Sequence, residues 1–422
     1  MQVRLAYGKT GLEVALPERL RVDIVQPGHV EALADQAGAV RQALGQPVGA
    51  RPLRESVQAG DRIGIVCNDI TRPTPYRTIL PVLLDELGHI SPEAITLFVA
   101  TGTHRANTPD ELRAMFGADI VQRFRIVQND AHDRDSHALV GTTDGNEVWI
   151  HKEYLRCSVR ILTGFIEPHF FAGFSGGGKA CMPGLAGVET ILGNHCARNM
   201  DHPLATWAVT HGNPIWEGIR AAALLAGPAF LLNVTLNRDK RITGVFAGDL
   251  DQAHECGCAF VRQHALTPVP ALYDIVITSN AGFPLDLNLY QAVKGMSAAA
   301  RVVKPGGAIL VAADCWDGIP EHGRYRRLLC EAADPRSLLE RVRADDCRCQ
   351  DAWQAQIHAL VCQKADVYLF SHNLSDEQIE RALLRPCRDI AETVVRLSQV
   401  HGRDASICVL PEGPQTVPYV QQ

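Results

Sequence analysis

Seven short apolar runs, each ending on a polar or glycine-rich turn, constrain this chain more than any other feature. They occupy residues 62–67, 94–100, 159–163, 273–278, 308–312, 365–370 and 406–410. Nearly all apolar and rich in Ile, Val and Leu, they read as strands covered on both faces, as in a parallel sheet. Parallel strands need crossovers, and helical patterns lie between the runs. Residues 75–87 place Ile79, Leu80, Leu83, Leu84 and Leu87 at helical spacing, and 337–342 and 376–384 look similar. Alternating strand and helix predicts an α/β fold with largely parallel sheets. A β-hairpin with a polar turn at 237–240 is expected over residues 230–246, then a helix over 251–264. The Pro-rich connection Thr267-Pro-Val-Pro-Ala271 marks a domain boundary. We therefore expect an N-terminal domain over 1–266 and a C-terminal domain over 271–389, with the segment 390–422 packing back onto the first. For 422 residues this agrees with domains of about 150 residues or somewhat larger.

Composition sets several classes aside. Hydrophobic residues make up 46% and charged residues 21%, an ordinary soluble balance. Lys plus Arg is 41 and Asp plus Glu is 47, a net charge of −6, which argues against a general nucleic-acid binder. The start, Met1-Gln-Val-Arg4-Leu-Ala-Tyr7, has no secretory apolar run. The longest uncharged apolar stretch, 221–236, is broken by Gly227, Pro228 and Asn233 and is too short to span a bilayer. The 13 cysteines are scattered, and the pairs Cys256-Gly-Cys258 and Cys347-Arg-Cys349 have no partner at zinc spacing. Reduced thiols in a cytoplasmic protein are the expectation.

The unusual residues sit at the carboxyl ends of the strand runs, where open α/β sheets bind ligands. After the first run comes Asn68-Asp69-Ile-Thr71-Arg72-Pro-Thr74-Pro75. An Arg fork on a stiff turn suits a carboxylate or phosphate. Thr71 or Thr74 as a helix cap is the alternative reading of this turn. After the second run, Thr101-Gly-Thr-His104-Arg puts a histidine on a glycine turn. The third leads into Gly164-Phe-Ile-Glu167-Pro-His169-Phe-Phe-Ala-Gly173-Phe-Ser-Gly-Gly-Gly178-Lys179-Ala-Cys-Met-Pro183-Gly184. Six glycines here are costly unless the backbone bends sharply or approaches a ligand. A phosphate-binding P-loop fits Gly173 to Lys179, then fails at Ala180 and at Pro183. A dinucleotide fingerprint is absent. A lysine that bonds to, or pairs with, a cofactor is the remaining reading. Downstream, His195 in Gly193-Asn194-His195 is a helix-end residue or a metal ligand. In Asn288-Leu-Tyr290-Gln291-Ala-Val-Lys294-Gly, a helix starting near Asn288 brings Tyr290, Gln291 and Lys294 together, to hold a carboxylate or to form a solvated face. Lys304-Pro-Gly-Gly307 is similar to a late methyltransferase motif, and we read it as a turn feeding a strand.

In register, these motifs resemble the lactate racemase family, the nickel-pincer-nucleotide-dependent 2-hydroxyacid racemases and epimerases. The carriers are Asp69-x-Thr-Arg72-Pro, Thr101-Gly-Thr-His104-Arg, Glu167-Pro-His169, Gly-Phe-Ser-Gly-Gly-Gly-Lys179, Asn194-His195 and Tyr290-Gln291-x-x-Lys294-Gly, with Asp351-Ala-Trp353-Gln-Ala-Gln356 behind them. The resemblance implies a two-domain α/β enzyme with its active site in the cleft between the domains. It implies a cofactor, a nickel(II) pyridinium-3,5-bisthiocarboxylic acid mononucleotide, attached covalently to Lys179, with His195 as protein ligand to nickel. Asp69, Thr71 and Arg72 would hold cofactor and substrate polar groups. Tyr290, Gln291, Lys294 and Trp353 would bind substrate, and His104 and His169 would act as paired acid/base residues. The implied reaction interconverts the two hands of a lactate-like 2-hydroxy acid through a 2-keto acid. Proteins of cofactor biosynthesis would be needed for maturation. Phe165, Phe170, Phe171, Phe174 and Phe283 surround the implied pocket. A carrier of the nucleotide without turnover is the alternative, and a P-loop ATPase a distant third.

Overall fold

The structure, a computed structural model, describes residues 1–321, 323–344, 348–402 and 404–421. Two six-stranded sheets organise it. In the first, Ile63–Asn68 lies between Ile95–Ala100 and Val159–Phe165, all parallel. Arg125–Gln128 extends it on one side, Phe230–Leu236 on the other. The expected hairpin closes that edge, Phe230–Leu236 pairing antiparallel with Ile242–Asp249. Lys240 in its turn has φ of +59°.

The second sheet is parallel throughout. Tyr273–Ser279 pairs with Val303–Ala312, followed outward by Asp366–Phe370 and Arg385–Pro386. On its other side lie Ile407–Leu410 and then Val22–Ile24. The terminal segment therefore departs from expectation. Its helix Ile390–His401 contributes Ile390, Val394 and Leu397 to the core of the second sheet, and its strand Ile407–Leu410 is internal to that sheet. The physical reason is that Ile407–Leu410, buried at all four positions, needs a partner on both edges. Only the last strand, Val417–Val420, turns back, pairing with the connector strand Leu266–Val269. The Lys304-Pro-Gly-Gly307 turn is absorbed into the strand Val303–Ala312, where the pairing register shifts.

The helices match their apolar stripes: Tyr76–Glu86, Leu250–Ala265, Pro335–Arg343 and Asp376–Arg381. One buried cluster runs from Val66, Phe98 and Leu162 of the first sheet to Val276, Ile309 and Val311 of the second, so the two halves share a core. No helix among the described residues is long and apolar enough to cross a membrane. Cys256 is exposed while Cys258 is buried, so that pair does not converge on a common ion, and Cys347 lies outside the described residues.

Both sheets have a break in connectivity. In the first, the chain moves outward from Ile63–Asn68 to one edge, then restarts on the other side at Val159–Phe165. The carboxyl ends of these two strands face the crevice where α/β folds bind ligands. In the second sheet, Tyr273–Ser279 leads into the helix Leu289–Ala300, which carries Tyr290, Gln291 and Lys294.

Candidate active site

The strand ends and that helix line one cleft, partly open to solvent. It is lined by Asp69 and Arg72 from the first strand end, His104 from the second, and His169, Lys179 and His195 from the glycine-rich segment and the helix behind it. Tyr290, Gln291, Lys294 and Trp353 reach it from the second half. Of the sequence-derived site residues, Thr71 alone does not line the cleft. It faces an adjoining cavity that shares Asp69 and His104. Its hydroxyl donates to Asp69 Oδ1 at 2.6 Å and its N–H to the same oxygen at 3.2 Å. Neither threonine caps the following helix, since the Thr74 hydroxyl donates to Asn68 Oδ1 at 2.9 Å and the helix has no side-chain cap.

Asp69 is 3% exposed, and its other oxygen lies 2.6 Å from His104 Nδ1. Burial works to raise its pKa, but the His104 ring and then the Arg72 guanidinium hold it below the ordinary carboxylate value. His104 Nδ1–H therefore donates to a carboxylate, and its Nε2 meets no protein partner among the described residues.

The glycine-rich segment folds as two tight turns around Pro168–His169 and Gly173–Phe174, which pair antiparallel. Gly173 has φ of +76°, and a Cβ there would lie 2.0 Å from Val209 O. Gly176 also has φ of +76°, and its Cβ would fall 2.4 Å from Asn233 Oδ1. The glycines are thus required by close packing rather than by flexibility. Gly173→Ala is expected to cost at least roughly 1–3 kcal/mol from backbone strain alone, read as a lower denaturant midpoint.

This folding brings His169, Lys179 and His195 together. His169 is buried, with the rings of Phe171 and Phe170 at 4.5 and 4.8 Å, and its Nδ1 accepts the Ala172 N–H at 3.2 Å. Burial, then Lys179, Lys294 and Arg72, push its pKa well below the usual value. His195 ends the helix Val188–Asn194 and stands between Phe171 and Trp353, each ring 5.2 Å away. Burial, then Lys179, push it down to about 3, so its ring is neutral, and its buried Nδ1 has no hydrogen-bond partner among the described residues. Lys179 lies over the Phe171 ring at 5.7 Å. Burial and the nearby Arg72 bring its pKa down to about 7 although its side chain keeps some exposure to the cleft. A large fraction of its amine is thus neutral at physiological pH, whereas an exposed lysine titrates near 10.4. Competitive acylation read by peptide mass spectrometry should give a Lys179 midpoint near pH 7, several units below surface lysines.

From the second half, Asn288 caps its helix by accepting the Gln291 N–H at 3.1 Å. Gln291 and Lys294 are 2% and 5% exposed, which rules out a solvated face. Gln291 Oε1 and Lys294 Nζ have no hydrogen-bond partner among the described residues. Burial, then Arg72, drives the Lys294 pKa well down, opposed by Glu167 and Asp69. The Trp353 indole N–H donates to Tyr290 Oη at 2.9 Å, and the Gln354 amide donates to Tyr290 O. Arg72, Lys179 and Lys294 share the cleft with Asp69, and a bound anion would favour the charged form of both lysine amines. Phe165, Phe170 and Phe171 form its apolar wall. Phe174 is buried away from it, and Phe283 packs on Trp316 at 6.1 Å instead.

Two carboxylates had no role assigned from sequence. Glu167 is 8% exposed, with an unpartnered Oε2, and supports the charged form of Lys294. Its position in Glu167-Pro-His169, two residues before a cleft histidine, was the available signal. Asp351 lines the cavity behind His104, and burial lifts its pKa to about 6. Its φ of +68° gave no trace in sequence.

Two imidazoles beside a lysine of lowered pKa, placed at the connectivity break of a largely parallel sheet, make the kind of site that enzymes build. Residues 7–208 match the lactate racemase N-terminal domain and residues 269–417 the lactate racemase C-terminal domain. The chain belongs to the lactate racemase family, a family of isomerases. It is 36% identical over 422 residues to the lactate racemase of Thermoanaerobacterium thermosaccharolyticum, covering 98% of each chain. It is 37% identical over 380 residues to that of Lactiplantibacillus plantarum, covering 89% of each. The solved structure of the Thermoanaerobacterium thermosaccharolyticum apoprotein superposes with a TM-score of 0.91 at 34% identity, covering 99% of this chain and 100% of that one. A Thermotoga maritima protein shares the fold, with a TM-score of 0.71 at 16% identity over 91% of this chain and 98% of that one.

Proposed function

We propose that this enzyme racemises or epimerises a lactate-like 2-hydroxy acid at C2, using a nickel-pincer nucleotide tethered to Lys179, in the cytoplasm and after maturation by separate cofactor-making proteins. The observation that carries the reading is the single cleft in which two imidazoles, an amine near neutrality and a set of orphaned polar groups converge.

The residues fit the proposed group. Among the described residues, no three His, Cys, Asp or Glu side chains gather as a metal site. A metal here would take one protein donor, the neutral His195, and needs its other donors from a bound organic group. A partly neutral Lys179 amine has the lone pair that covalent attachment requires. When bound, the group would supply the two-electron acceptor that no side chain provides.

The chain's own groups do the rest. Arg72 and Lys294 neutralise the substrate carboxylate, and the Gln291 amide fixes its orientation. The hydroxyl proton must leave as C2 flattens to a 2-keto acid, and the two hands present that hydroxyl in different directions. His104 and His169 take and return the proton on the two sides, each worth about 10²–10⁴-fold. Phe165, Phe170 and Phe171 exclude water from the intermediate. Both imidazoles open onto the cleft, which favours turnover over simple carriage of the nucleotide.

The test is to purify the protein from cells that make the nucleotide and incubate it with single enantiomers of short and longer 2-hydroxy acids. Chiral chromatography should show interconversion of at least one. Loaded protein that interconverts none would overturn the proposal.

A further inference from the structure

We infer that the two cleft imidazoles rest in opposite tautomers, set by Asp69 on one and the Ala172 N–H on the other, so that His104 presents a lone pair as the resting proton acceptor and His169 presents an N–H as a hydrogen-bond donor. This rests on the paired-histidine reading above and deepens it, giving the two rings unequal roles.

A neutral imidazole carries one N–H and one lone pair, and the partner of one nitrogen decides the state of the other. His104 Nδ1 lies 2.6 Å from the Asp69 carboxylate, which only accepts. Its proton is therefore on Nδ1, and the lone pair on Nε2 points into the cleft. His169 Nδ1 faces the Ala172 N–H at 3.2 Å, which only donates. Its lone pair is on Nδ1, and in the neutral ring the proton is on Nε2. Two rings of one residue type thus present opposite faces to the substrate. For His169 to accept a proton at Nε2, that nitrogen must first give up its own proton, Nδ1 must take one in its place, and the Ala172 contact must be lost.

The same geometry gives Thr71 a role, although it does not touch the cleft. Its hydroxyl and N–H both donate to Asp69 Oδ1, at 2.6 and 3.2 Å. They fix which carboxylate oxygen turns to His104. They also determine what an amide does in its place. In Asp69→Asn the oxygen must stay with the two Thr71 donors, and the NH₂ must face His104 Nδ1. That nitrogen would then have to accept, placing the proton on Nε2 and removing the base. Asp69 and Thr71 are positioning residues that act through His104.

The experiment is ¹⁵N NMR of histidine-labelled chain without nucleotide, the two rings assigned with His104→Gln and His169→Gln. Each neutral form is read at the alkaline end of its titration. The expected result is Nδ1–H for His104 and Nε2–H for His169. In Asp69→Asn, His104 should switch to Nε2–H while His169 is unmoved, and racemisation by loaded protein should fall roughly 10²–10⁴-fold. Identical tautomers in the parent chain, or an unchanged His104 tautomer in Asp69→Asn, would overturn the inference. Because the NMR uses protein without nucleotide, its outcome is separate from whether the chain racemises a hydroxy acid.

Discussion

Lys179→Ala protein, purified from cells that make the nucleotide, is expected to fold normally, gain no covalent mass and show no racemisation above background. The amine is a nucleophilic nitrogen brought near neutrality by its surroundings, with its pKa at about 7 under the combined effect of burial and Arg72. Alanine removes that nitrogen without leaving a charge unpaired, because Lys179 has no hydrogen-bonded anion to abandon. Lys179→Arg should fail equally, since a guanidinium stays protonated and cannot be acylated. Intact-protein mass spectrometry and nickel analysis read both variants. His195→Ala separates attachment from metal retention: its added mass should remain while nickel is reduced, because the buried neutral ring is the proposed protein donor. Nucleotide mass retained on Lys179→Ala would remove the covalent role from this residue.

His104→Ala and His169→Ala are expected each to lower racemisation by about 10²–10⁴-fold while nickel and covalent mass stay at parent levels. Each ring has a distinct structural cost when lost. His104 leaves Asp69 without its strongest neighbour, so that buried carboxylate loses the interaction that keeps its pKa low. His169 leaves a gap against Phe170 and Phe171. His104→Gln and His169→Gln restore much of the volume and a polar end without proton transfer at neutral pH. Activity losses that persist in the glutamine variants therefore report chemistry, not packing. Loss of nickel in all four would instead assign both rings to holding the site together.

How much of this was legible in the sequence depends on the element. Buried parallel strands were, because runs such as residues 63–68 must be apolar on both faces, and their polar ends mark where the chain meets ligand. Short or half-exposed strands were not. Val22–Ile24 spans three residues and has no apolar signature, yet it forms an edge of the second sheet. The hairpin of His137–Thr143 and Asn146–His151 carried a signal that was passed over: Asp144-Gly145, with φ of +49° and +77°, is the dipeptide favoured in a tight hairpin turn. The packing of Ile390–His401 and Ile407–Leu410 into the second sheet was a long-range pairing decision, which local pattern does not encode.

In the site, the chemistry-bearing residues were legible and their connections were not. His104 at a strand end is visible in sequence, whereas the 35-residue separation from Asp69 conceals their hydrogen bond. Thr71 was singled out correctly as unusual, but its hydroxyl turns to Asp69 and not to the cleft. Gln291 and Lys294 could be read as a solvated face or a binding pair, and only their burial decides it. Asp351 stood out only as part of the segment Asp351-Ala-Trp353, and its place in the cavity behind His104 was hidden because segments far apart in the chain form that cavity.

The central claim is that a 2-hydroxy acid loses and regains the hydrogen on C2 without its meeting solvent. The most direct measurement uses one enantiomer of lactate carrying deuterium at C2, incubated in ordinary water with loaded protein. Mass spectrometry of the separated enantiomers should show the opposite hand formed with deuterium still at C2, and no such product with His104→Ala. Product of the opposite hand formed with the label replaced by solvent hydrogen would contradict the account, since it would mean that C2 is deprotonated by a side chain.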